Sequence, residues 1–364
     1  MNRIVSPLCA VFLVSFLSIP FYGKAQNEDD IIRFLQAGQE DGEKLITAYI
    51  NPFIEGFSYA LNGGWFHTAK PHKLGGFDIN ISLTPVFIPA SQDRFDPMVL
   101  GLTTVAGFTN TTSPGKLAPT IIGPNDRTTY YLNYDFDGDG NTNSSGNLID
   151  PDDAFSGPEG LNLRKEIGIA PVGSPMVQVG IGLIKGTDVM VRFVPKTTLS
   201  STTLKMFGLG VRHDIKQHIP GIKMLPFDLS MMAGYTSFEG ITDLSGLATE
   251  FPPATAATKQ EAIYKFNAFL LQALISKKLA FVTFFGGIGY NGVKTTADVN
   301  GSYTFFNATP AEFDLTNPYS ATFKNSSMRF DVGFRLNLLA FYIYADYAIQ
   351  EYSSVTAGLG FTFR

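Results

Sequence analysis

Residues 328–364 read MRFDVGFRLNLLAFYIYADYAIQEYSSVTAGLGFTFR, and this stretch decides the fold. Three runs alternate large apolar residues with small or polar ones, and two short connectors join them. On an extended strand Met328, Phe330, Val332, Phe334 and Leu336 share one face, while Arg329, Asp331, Gly333 and Arg335 share the other. A soluble β-sandwich also alternates, but its second face meets bulk water and usually carries Lys, Glu and Thr. Here the second face carries Gly repeatedly, with sparse charges of both signs, which suits a crowded lumen. The pattern predicts the closing strands of an all-β protein: a transmembrane antiparallel β-barrel with lipid outside and a polar lumen inside.

Composition agrees. Charged residues are 16% of the 364-residue chain, against about 25% in a typical soluble domain. Yet no long apolar span occurs beyond the extreme N-terminus, so transmembrane helices do not explain the low charge. The 36 Gly, 32 Phe and 15 Tyr fit many aromatic strands. A net charge of -5 argues against a nucleic-acid partner.

Residues 1–25 read as a secretory signal peptide: Arg3, an apolar run from Ile4 to Phe21, and Gly23-Lys24-Ala25 before Gln26. A membrane anchor would need about 20 apolar residues, and Pro7 and Pro20 interrupt this run. Cys9 is the one cysteine and lies inside the signal, so the mature chain is expected to have neither disulfides nor a catalytic thiol.

Residues 26–62 form the one helical stretch. Asp29 and Asp30 stand where a helix start favours acids, and Leu45, Ile46, Tyr49, Ile50 and Phe53 recur at helical spacing. Pro52 is expected to kink or restart it. Two readings are open, a small periplasmic cap and a plug in the barrel mouth. Residues 63–364 are then the barrel.

Gly75–Pro89 is the first clear strand. Val99–Phe108 and Arg127–Tyr134 are expected to add one weaker strand pair, and Asp135–Gly160 is a loop. From Pro171 onward strands follow one another, with a phase change near Leu270-Leu271 that suggests a bulge. The count comes to about 12, within 10–14. Connectors support the reading. Those near Asn337, Ser276–Lys278, Asp214–Leu225 and Lys185–Thr187 are mostly short and fall on the side of the C-terminus. Those at Gln350–Ser353, Asn291–Phe323, Ser237–Lys259, Pro195–Thr202 and within Asp135–Gly160 are mostly long and fall on the other, as outer-membrane barrels require.

Three constellations could carry chemistry. Asp135, Asp137, Asp139 and Asn141 place oxygen donors at alternate positions, as a structural calcium loop does. The twelfth position is Gly146 and not the Glu of an EF-hand, and a solvated acidic loop is the other reading. His67, His72, His213 and His218 have no Ser or acid placed to make a triad, so catalysis is not expected, and no cofactor other than calcium is. The lumen face is the best functional surface. It is expected to carry Asp78, Asp188, Arg192, Lys205, Arg212, Asp228, Lys265, Arg329, Asp331, Arg335 and Asp346, with Tyr342 and Tyr344. Opposite charges there would pair and fill a small lumen. Alternatively Arg212, Arg329 and Arg335, with Asp331 and Asp346 beside them, would steer an anionic solute or a fatty-acid carboxylate.

The segments Gly208-Leu-Gly-Val-Arg-His-Asp-Ile-Lys-Gln217, Ser276-Lys-Lys-Leu-Ala280, Gly286-Gly-Ile-Gly-Tyr-Asn291 and Gly358-Leu-Gly-Phe-Thr-Phe-Arg364 resemble an uncharacterised family of Bacteroidetes outer-membrane barrels, over about the C-terminal half. The resemblance implies location and fold but no substrate. The helical segment with Asn51-Pro52 ahead of the barrel is similar to the hatch of long-chain fatty-acid and hydrocarbon outer-membrane transporters. Many such barrels end in an aromatic residue read by the insertion machinery; here Phe363 is penultimate. The chain is therefore expected to sit in the bacterial outer membrane, with its lipid and insertion machinery as partners. It would act as a passive channel for small or hydrophobic solutes. The competing reading is a non-transport barrel, such as a surface adhesin or an envelope or secretion component.

Overall fold

The computed structural model describes residues 29–110, 112–113, 117–135, 139–144, 150, 152–246, 252–253, 259–305 and 313–363. The expected signal peptide, with Cys9, lies outside them.

The strands predicted by alternation form a closed antiparallel barrel in which each pairs with its sequence neighbour and the first meets the last. They are β1 (Phe77–Phe87), β2 (Pro171–Gly182), β3 (Thr187–Leu199), β4 (Thr202–Asp214), β5 (Asp228–Asp243), β6 (Glu261–Leu279), β7 (Val282–Asn300), β8 (Tyr319–Leu338), β9 (Phe341–Ile349) and β10 (Ser354–Phe363). Closure runs from Phe77 opposite Phe363 to Val86 opposite Ser354.

The barrel has ten strands, fewer than the expected 12. The weaker predicted pair does form, with Val105–Thr109 against Thr129–Leu132. It builds a separate three-stranded sheet with Ala154–Ser156, however. This sheet lies in the long connector 88–170 and packs Phe108, Tyr130, Leu132 and Phe155 into a core with the N-terminal helices. Its apolar residues had a partner other than the barrel wall, and period-2 alternation cannot tell the two apart.

Faces separate as the alternation requires. Ile79, Val179, Phe330, Val332, Phe341 and Ile343 are exposed outward, while Asp78, Gln178, Arg329, Asp331, Tyr342 and Tyr344 are buried inward. Two assignments change. Lys205 and Lys265 point outward, both exposed, because they share the parity of Phe207 and Phe269. The phase change near Leu270-Leu271 is not a bulge: pairing is continuous there on both sides. Ala268, Leu270 and Leu274 face inward and are buried, so both faces of β6 are apolar. The register shift lies instead between Val194 and Thr197 of β3.

Connectors 183–186, 215–227, 280–281 and 339–340 share one end with Phe77 and Phe363; 88–170, 200–201, 244–260, 301–318 and 350–353 share the other, the cap end. The turns expected at Ser276–Lys278 and Asn337 fall a few residues later. The loops expected at Asn291–Phe323 and Ser237–Lys259 are shorter, because β6, β7 and β8 run 19, 19 and 20 residues. Their outer halves turn polar on the outward face, which hides the alternation.

The N-terminal stretch comprises α1 (Asp29–Ile32), a 3-10 turn (Arg33–Ala37) and α2 (Gly38–Leu61). Glu40 and Asp41 stand in the first turn of α2, where acids offset the free amides. The helix continues through Pro52, because Tyr49, Ile50 and Ile54 are buried on either side of it. Burying each such side chain is worth about 1.5–3 kcal/mol, comparable to the ~3 kcal/mol an interior proline costs. α2 lies across the cap end. Tyr49 Oη donates to the Glu159 carbonyl (2.6 Å), and Tyr352 Oη to Glu55 (2.9 Å).

Candidate functional site

After α2 the chain does not enter the barrel wall. Residues 62–76 descend through the lumen from the cap end and reach β1 at the opposite end. The barrel wall begins at Phe77.

The strap has no regular secondary structure of its own, so its backbone polar groups need other partners. The wall supplies them. The Leu61 and Gly63 carbonyls accept from Arg192 (3.2 and 2.7 Å), the Trp65 carbonyl from Gln178 (3.2 Å), and the Thr68 carbonyl from Arg212 (2.5 Å). The Ala69 amide donates to Ser276 Oγ (2.9 Å), and Ser230 donates to the Ala69 carbonyl. Arg192 is fully buried and meets the last turn of α2, where helical carbonyls lack partners and attract a cation. Its guanidinium also lies 3.7 Å from the Trp65 ring centre.

Room for Trp65 comes from two glycines. A Cβ on Gly210 would lie 2.6 Å from the indole, and one on Gly234 2.8 Å. The glycines of the lumen face were legible as a sign of crowding; what crowds them was not.

Below Trp65 the strap enters a charged network. His67 Nε2 lies 3.1 Å from Asp78, and Tyr342 Oη donates to the same carboxylate oxygen (2.6 Å). Arg335 Nη1 lies 2.9 Å from His67 Nδ1, and its guanidinium covers the Tyr342 ring at 3.8 Å. His72 Nδ1 is 3.0 Å from Asp188, which also takes Arg212 Nε (3.2 Å). Higher up, Arg329 Nε donates to Asp331 (2.8 Å), Nη1 to Gln350 (3.2 Å), and Gln272 joins Asp331 (2.5 Å). Asp346 is buried on β9, and no hydrogen bond from an arginine reaches it among the described residues.

The five lumen candidates thus do not form one cluster. Arg212 pairs with Asp188 and reaches the strap at Thr68, Arg335 meets a strap histidine, and Arg329 pairs with Asp331 within the wall. His67, His72 and Trp65 were missed as site residues, and Arg192, expected on the lumen face, was not singled out. One signal stood in the sequence: the only tryptophan and two of four histidines, in eight residues without periodicity, after Gly63-Gly64.

Of the expected calcium ligands, Asp137 lies outside the described residues. Asp135 accepts from the Gly140 amide (3.1 Å), while Asp139 accepts from the Asn141 amide (2.8 Å) and side chain (2.9 Å). Among the described residues no group of three or more His, Cys, Asp or Glu side chains is arranged to hold a metal.

In fold the chain is similar to several barrels. The translocator domain of autotransporter NalP from Neisseria meningitidis shares 10% identity over 87% of this chain and 99% of that one (TM-score 0.30). The outer membrane channel DcaP of Acinetobacter baumannii shares 12% over 80% and 96% (TM-score 0.17). A BenF-like porin from Pseudomonas fluorescens Pf-5 shares 8% over 79% and 98% (TM-score 0.14). No curated protein matches the chain in sequence. One family does, along residues 1–363, and the chain belongs to it: the family of unknown function DUF6588.

Proposed function

We propose that this chain is an outer-membrane β-barrel channel for small anionic solutes, closed at rest by its own N-terminal segment. One observation carries the membrane reading. Exposed Ile, Val, Leu and Phe ring the outward face of the wall, while arginines and aspartates are buried inside. Water would not tolerate so continuous an apolar belt, and a bilayer requires it. Short turns beside Phe77 and Phe363 support a periplasmic position for that end and an outer one for the cap. Residues 1–25 would direct export, with the insertion machinery and outer-membrane lipid as partners.

Passage requires the strap to leave the lumen. Arg212 and Arg329 would keep Asp188 and Asp331. Arg192 would lose the Leu61 and Gly63 carbonyls, and Arg335 would lose His67. Displacement therefore leaves two guanidiniums without their strap acceptors, against the single Asp78 carboxylate that loses His67, and the planar donors of the arginines would offer an anion bidentate contacts. The large cap favours a second reading, a surface platform with no transport role.

A disulfide between strap and wall separates these readings. Ala69 and Ser276 touch through backbone amide and hydroxyl at 2.9 Å, and Cys9 is the only native cysteine. In liposomes, A69C/S276C should admit small organic anions after reduction and exclude them after oxidation. Equal uptake in both states, or none in either, would remove support for transport.

A further inference from the structure

The bulge in β3 sets two residues, Pro195 and Lys196, against Lys205 of β4. It turns Lys196 outward, against the parity of its strand. Beside it a groove of about 350 Å³ opens on the outward face of β3 to β6. Phe193 and Phe207 form its apolar floor toward the middle of the wall, both about half exposed, and Lys196, Lys205 and Lys265 stand at its cap-end rim. Lys294 and Lys324, paired across β7 and β8, extend the basic row. Among the described residues only Lys205 of these five has an acidic partner, Glu239 at 2.8 Å. The outward faces of β1, β2, β9 and β10 carry no charged side chain.

We infer that this groove seats a phosphorylated lipid of the outer leaflet, with its phosphate on Lys196, Lys205 and Lys265 and an acyl chain along Phe193 and Phe207. The inference rests on the outer-membrane reading. Charge complementarity names the headgroup, because lysines held at one level beside an apolar floor match an anion tethered to hydrocarbon.

The test is native mass spectrometry of the full chain with bisphosphorylated lipid A, its dephosphorylated form and inorganic phosphate. Insertion into phosphatidylcholine vesicles is read separately. The wild type should retain the phosphorylated lipid about tenfold over the dephosphorylated one, a difference of about 1.4 kcal/mol. K196Q/K205Q/K265Q should lose that preference while still inserting, and millimolar inorganic phosphate should not compete. No preference, a preference kept by the triple variant, or displacement by free phosphate would overturn the inference alone. Failure of the wild type to insert would overturn the membrane reading and the inference with it.

Discussion

Arg335 Nη1 lies 2.9 Å from His67 Nδ1 inside the lumen, a wall arginine bound to a strap histidine. A guanidinium has no acceptor, so Nδ1 must offer its lone pair. The proton of neutral His67 is then on Nε2 and is donated to Asp78 at 3.1 Å. His67 is thus an adaptor between a cation and an anion of the wall. Replacing it with leucine leaves both without that partner. His67→Leu should cost about 1–3 kcal/mol of strap seating or more, since charged groups are orphaned. His67→Gln, which can both donate and accept, should recover part of it. Urea titration of the refolded barrel, followed by heat-modifiable migration, checks this; equal midpoints for wild type and leucine variant would refute it.

Trp65 is the only tryptophan and is 1% exposed, so indole emission, excited selectively over the tyrosines, reports on the strap alone. The wild type should show blue-shifted emission, insensitive to acrylamide. Gly210→Leu and Gly234→Leu fill the space the indole occupies and should shift emission to the red and permit quenching. Unchanged spectra in both variants would mean that the indole does not sit between those strands.

The cap should loosen in acid. Asp41 accepts from the Thr103 and Thr104 amides (2.7 Å each) and lies 3.4 Å from Lys44. Burial alone would push its carboxyl up, but the hydrogen bonds from Thr104 and Thr103 and the Lys44 charge outweigh it, holding the group below the usual carboxylate range. A folded-state value below the unfolded one, about 3.9, stabilises above that pH. The contribution fades as pH falls through the lowered value. Proteolysis of the cap should therefore accelerate as the pH falls below about 4. Asp41→Asn should accelerate it at pH 7, with a loss of about 1–3 kcal/mol. A variant as resistant as wild type at pH 7 would contradict this.

Faces of the wall should differ in their tolerance of charge. Val332 is 63% exposed on the outward face of β8, next to buried Asp331. Val332→Arg should cost about 2–4 kcal/mol in a bilayer if it lies near the midplane. Val332→Leu should cost little. Equal refolding of both into vesicles would argue against lipid on that face.

The wall was legible because most barrel strands alternate at period 2 over much of their length, and the three runs within Met328–Phe363 show both faces. The cap and strap were not. Between residues 90 and 164 the described strands Val105–Thr109, Thr129–Leu132 and Ala154–Ser156 pack Phe108, Tyr130 and Phe155 on the helices, and residues 62–76 have no period at all. Lys205 and Lys265 were misplaced although their parity with Phe207 and Phe269 was readable, because charge suggested lumen more strongly than spacing suggested wall. Among the candidate residues, the charges themselves could be read from the sequence, but their pairing depends on what lies between them. Only the threaded strap explains why Arg335 meets His67 and Arg192 meets the end of α2.

Single-channel recording in planar bilayers tests most directly whether the strap closes the barrel. The full mature chain should stay closed apart from brief openings. A chain lacking residues 26–76, shown folded by heat-modifiable migration, should give steady steps with a reversal potential on the anion side. A full chain as steadily open as the truncated one, or a folded truncated barrel that never conducts, would contradict the account.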